Sequence, residues 1–104
     1  MNCIIKRPFE PVGRIREIDN TLEALQKAVD GYIETVTVKA GDKKLVIICN
    51  EEGKLTRMAP NFRIGSKQIV GTVIVVGVDG EEFTDVPIDL GEWLELLVEW
   101  GNTV

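Results

Sequence analysis

Two apolar, β-branched runs, Leu45-Val46-Ile47-Ile48-Cys49 and Ile69-Val70-Gly71-Thr72-Val73-Ile74-Val75-Val76, leave the chain few ways to fold. Successive side chains of a strand point to opposite faces of a sheet, so a strand that is apolar at every position must be covered on both. The runs therefore predict central strands, packed by protein on each face or by protein on one face and a second copy on the other. Gly71, inside the second run, predicts a bulge or a close backbone approach.

The flanking segments supply what such a sheet needs. Residues 2–7 and 12–18 read as extended segments, with Pro8, Pro11 and Gly13 as turn residues between them, which makes a hairpin. Asp19 or Asn20 can cap the helix that follows. Glu23 completes a capping-box pattern with Asn20, and Leu22, Leu25, Ala28 and Val29 form one apolar stripe. Gly31 supplies the stop, because a left-handed conformation costs glycine least. Tyr32 to Lys39 reads as a strand, turning through Gly41-Asp42-Lys43-Lys44 into the first apolar run. At the C-terminal end, Asp89 and Glu92 form a second capping pair for a helix whose stripe is Leu90, Trp93, Leu94, Leu97 and Val98. The 104 residues thus make a single α+β domain spanning 1–104, a mainly antiparallel sheet of about five strands with two helices.

Histidine is absent, which removes His-based triads, His zinc sites and the histidine pH switch. Cys3 and Cys49 lie too far apart for a CxxC pair, and each sits among Ile and Val as a small buried hydrophobe. Two such thiols fit a reducing, cytoplasmic setting. No signal-peptide core and no stretch of ~20 apolar residues is present, so no membrane partner is expected. The adjacent carboxylates Glu51-Glu52 and Glu81-Glu82 point apart in a strand or turn, and neither GxxxxGK[ST] nor GxGxxG occurs. No catalytic residue, metal ligand or cofactor is assigned, and binding is favoured over catalysis.

The net charge of -5 is unevenly spread. From Asp79 to Val104 there are eight acids and no Lys or Arg, whereas residues 1–78 carry twelve bases against nine acids. The acidic balance argues against direct nucleic-acid binding, since few bases are left to release phosphate counterions. Glu92, Glu95 and Glu99 on the terminal helix, beside Trp93 and Trp100, form the candidate partner surface. The two tryptophans either close the core or leave one as an interface anchor. Residues 50–68 read as a long irregular stretch, and its Asn50, Arg57, Asn61 and Arg63 suit an anionic group. With Tyr32 and Glu34 nearby they make a candidate ligand pocket, on the condition that Asn50 and Arg63 converge on one side of the sheet.

The ordered segments EIDNTLEALQKAVDGYIE, ICNEEGKL, PNFR and IVGTVIVVGVDGEEF resemble the bacterial and phage family catalogued as domain of unknown function 3846, across roughly residues 12–86. The resemblance implies a small α+β protein carried by phages, prophages and other mobile elements, with no established activity. The matching positions are Leu22, Gly31, Tyr32, Ile33, Glu34, Asn50, Glu51, Gly53, Asn61, Arg63, Gly71 and Thr72; the acidic helical segment 87–104 lies outside it. The leading expectation is a non-enzymatic inhibitor of a host protein or defence complex, acting by protein–protein contact. A sequestering protein for a small anionic ligand, such as a nucleotide signal, is the alternative, and a small hydrolase using Glu51 or Glu34 is the weaker one. The long apolar runs are also compatible with a homo-oligomer.

Overall fold

The two apolar runs do supply neighbouring central strands. In the computed structural model, which describes residues 1–103, the elements in chain order are β1 (Asn2–Lys6), β2 (Arg14–Glu17), α1 (Leu22–Val29), β3 (Ile33–Ala40) and β4 (Lys43–Asn50). They continue with β5 (Pro60–Ile64), β6 (Lys67–Val70), β7 (Val73–Asp79), β8 (Glu82–Thr84) and α2 (Leu90–Glu99). The class is α+β and every strand pairing is antiparallel. The main sheet has six strands in the order β2-β1-β7-β4-β3, with β8 also pairing β7, and β5–β6 form a separate ribbon.

Alternation divides the central strands between two cores. Ile4, Leu45, Ile47, Val73 and Val75 face α2 and the ribbon, where Trp93, Leu96, Leu97, Phe62 and Ile69 meet them. Cys3, Val46, Ile48, Ile74 and Val76 face α1 and pack on Leu25 and Val29. A fully buried side chain of this size stabilises by about 1.5–3 kcal/mol, so both faces contribute to holding the sheet.

The second run is not one strand. Gly71, at φ 74°, breaks it between β6 and β7, and a Cβ there would lie 2.7 Å from Met58 Sδ. A left-handed glycine lets the chain leave the ribbon and enter the main sheet within two residues, a break that composition cannot register. Residues 50–68 are correspondingly not one irregular stretch: after turns over 51–57, the β5–β6 hairpin occupies the second half, turning at Gly65 (φ 59°).

Both ends of α1 differ from expectation in detail. Thr21, not Asp19 or Asn20, is the cap, its Oγ1 accepting from the Ala24 N–H at 3.1 Å. Asn20 instead donates through Nδ2 to the Phe83 carbonyl at 2.9 Å, tying the approach to α1 onto β8. The left-handed terminator is Asp30 (φ 62°). Gly31 is required for another reason, because a Cβ there would meet Asn50 Nδ2 at 2.6 Å. In α2 the Asp89–Glu92 capping box forms as expected, but the buried side is Trp93, Leu96 and Leu97, and Val98 is exposed.

Candidate functional site

The sequence's acidic ending becomes an acidic end of the molecule. Register brings the Gly41-Asp42 turn, the β7–β8 turn and the start of α2 together, since Leu45 pairs Gly77, Asp79 pairs Glu82 and Lys43 Nζ donates to the Pro87 carbonyl at 3.1 Å. Asp42, Asp79, Glu81, Glu82, Asp85 and Asp89 collect there, all exposed, against Lys39, Lys43 and Lys44. Of these bases, Lys43 is already 3.7 Å from Glu92 Oε2. Glu92, Glu95 and Glu99 continue the acidic surface along α2, lining a groove with the β3–β4 turn. Lys54, Arg57, Arg63 and Lys67 lie toward the opposite end of the sheet, on the β4–β5 turns and the ribbon.

Trp93 does not belong to that surface. Trp93 has no exposed area, and its ring is edge-on to Phe62 at 5.5 Å and to Trp100 at 5.7 Å. Trp100 stacks on Phe62 at 6.1 Å and is half-buried. The role of Trp93 as a partner anchor is therefore corrected: it closes the core, because the α2 face that carries it turns inward while the glutamates turn out.

The convergence required of the candidate ligand residues does not occur. Asn50 follows Val46 and Ile48 on the α1 face, where its Nδ2 donates to the Val29 and Asp30 carbonyls (3.1 and 3.0 Å) and its Oδ1 accepts from the Glu52 N–H at 2.7 Å. Arg63 is on the ribbon against the other face, its backbone N–H and carbonyl both bonded to the Asn102 side chain. Two residues read as a pair from their polarity are thus separated by the sheet. Tyr32 is exposed beside Asn50 in a shallow cleft next to the end of α1. Arg57 is exposed at φ 56° in the turn before β5. Asn61 belongs to neither group, because it bridges β1 and the ribbon: its Nδ2 donates to the Lys6 and Gly71 carbonyls.

Of the candidate ligand residues, Glu34 and Asn50 do share a cavity of about 310 Å³, lined also by Cys49, Glu51, Lys54 and Lys67. Cys49 Sγ lies 4.0 Å from Glu34 Oε2. Burial and that carboxylate both push the thiol up, which keeps it protonated, the reverse of what a nucleophilic cysteine needs.

One residue escaped the reading of the sequence. Lys6 is only 3% exposed, with Nζ donating to Asn61 Oδ1 at 2.6 Å and lying 5.7 Å from the Phe62 ring centroid. Burial lowers its ammonium below the usual lysine range, which Glu10 partly opposes. The available signal was alternation: in β1 the residue two before it, Ile4, faces the core, so Lys6 had to point the same way.

The fold and these sites define a small α+β domain with a polarised surface. A protein-family model described as a domain of unknown function (DUF3846) matches residues 1–98, and the chain belongs to that family. The match extends past 12–86 at both ends, so β1 and nearly all of α2 are part of the family pattern. No curated protein and no solved structure matches the chain. Among the described residues, no helix is long and apolar enough to cross a membrane.

Proposed function

We propose that this protein works by binding and not by catalysis, docking its acidic end and the outer face of α2 onto a basic surface of a host protein. The observation that supports this reading is the gathering of Asp79, Glu81, Glu82, Asp85 and the α2 glutamates around one end of the sheet, with the sole nearby ion pair made by Lys43 among the described residues. A surface of one sign steers association with a surface of the other and disfavours partners of like charge. The mobile-element setting implied by the family resemblance makes a component of host defence the class of partner, with inhibition as the outcome.

The test is capture from host lysate by the wild type and by a Glu81→Lys, Glu95→Lys, Glu99→Lys variant. That variant spares Glu92, which completes the capping box. A partner held by the wild type at low salt should be lost to the variant and should dissociate as salt is raised. Capture that neither charge reversal nor salt weakens rejects this surface.

A further inference from the structure

Among the described residues Lys6 is the only charged side chain that folding buries, and it is buried without a counter-ion. An ammonium has three donors, of which one is accounted for by Asn61 Oδ1. No carboxylate among the described residues stands within 4.0 Å of Nζ. Glu10, the acid that Lys6 feels, is engaged elsewhere: its Oε1 accepts from the Arg7 N–H at 2.8 Å, and its Oε2 lies 3.6 Å from Arg14 Nε. Burying a cation away from an opposite charge is unfavourable, so a fold that keeps one gains by admitting an anion.

There is space for one. Lys6 lines a cavity of about 400 Å³ between the β1–β2 connection and the ribbon, within the size range of small-molecule sites. Its other walls include Phe9, Pro60, Phe62 and Leu97. Phe9 is 87% exposed at the rim and has φ 72°, a backbone conformation uncommon for a bulky side chain. Core packing explains neither its exposure nor its strain, and strain of this kind collects at ligand clamps.

We propose that this cavity binds a small organic monoanion, a carboxylate with an apolar or aromatic body, pairing with Lys6 Nζ and resting between Phe9, Pro60, Phe62 and Leu97. A single charge is specified because one ammonium serves the site, while Glu10 also lines it and repels a second negative charge. The proposal is independent of docking through the acidic end, which lies at the other end of β1.

The test uses benzoate as probe on the full chain, with benzamide as its neutral isostere and phenyl phosphate as the dianion, read by calorimetry and thermal shift. Benzoate should bind and raise the melting temperature, and benzamide and phenyl phosphate should each bind roughly tenfold more weakly or worse. Lys6→Met, which keeps the apolar stem, should abolish benzoate binding. If that variant fails to fold, Phe9→Gly decides the matter, since glycine suits the left-handed backbone and leaves the core intact; its benzoate affinity should fall about fivefold. No benzoate binding, equal binding of benzamide, tighter binding of phenyl phosphate, or unchanged affinity in Phe9→Gly would each overturn the proposal.

Discussion

The indole Nε1–H of Trp93 donates to the backbone carbonyl of Val12 at 2.9 Å, joining positions 81 residues apart. The bond lets α2 bury its largest side chain completely, because the one polar atom on the indole is matched by a carbonyl of the β1–β2 connection. It also holds that connection against the sheet beside Gly13, where a Cβ would approach the Ile5 carbonyl oxygen to 2.6 Å.

Trp93→Phe should therefore destabilise the fold by about 2–4 kcal/mol, combining lost volume with an unsatisfied carbonyl. Trp100→Phe, at a half-buried position that keeps an aromatic against Phe62, should lose about 1 kcal/mol. Urea unfolding of the two variants measures the difference, and equal losses would contradict the assignment of Trp93 to the core.

Asn50, at the end of β4, terminates α1 from the sheet face the helix packs on, so Asn50→Ala should lose about 2–3 kcal/mol by leaving the Val29 and Asp30 carbonyls without their donor. Asn50→Asp should be no better, since a carboxylate would face two carbonyl oxygens. Helical content and unfolding midpoint together report the effect.

Asp30 is a non-glycine residue in the left-handed conformation, and it places a negative charge at a helix C-terminus. Asp30→Gly relieves both and should stabilise by about 1 kcal/mol, raising the melting temperature by several degrees in a domain of this size. A lower melting temperature would mean that the Asp30 side chain contributes something the backbone geometry does not show.

Lys6 makes stability depend on alkaline pH. The folded chain releases this proton more readily than the unfolded chain, so between the lowered folded value and 10.5 the unfolded state holds more protons, and stability is gained as pH rises. Below that window the buried charge lowers stability in full. Cys3 and Cys49 act in the opposite sense, because burial raises both thiols above 9.0 and stability is lost as pH climbs past that value. The difference in unfolding midpoint between wild type and Lys6→Met isolates the lysine: it should shrink on approaching pH 10.5, and a constant difference would refute the buried-charge account. Benzoate binding should weaken over the same window.

The same burial predicts slow cysteine chemistry. Iodoacetamide should label Cys3 and Cys49 in the native protein only as fast as the fold opens, and rapidly once it is unfolded. Fast native labelling of Cys49 would show that the cavity beside Glu34 is more open than the packing indicates.

Patterns that repeat along the chain were legible in the sequence. The all-apolar Val46-Ile47-Ile48 stretch required a sheet covered twice, and Asp89 with Glu92 located the start of α2. What escaped depended on single backbone angles or on distant partners. Gly71 looks alike in sequence whether it makes a bulge or a break. Asn50 and Arg63 resemble one another as polar loop residues, and only the register of β4 shows that they occupy opposite faces. Lys6 was hidden by its chemical type, since lysine is almost never fully buried, although the strand alternation pointed inward.

The position of β7 between β1 and β4 has a consequence for synthesis. The β1–β2 and β3–β4 hairpins close locally and can form as the chain emerges, but both present apolar edges that only β7 satisfies, and Ile4 waits for Val75. Until that later strand has left the ribosome, the nascent chain carries two unfinished half-sheets open to chaperones or to neighbouring copies. Arrival of β7 is then what joins the two half-sheets into one.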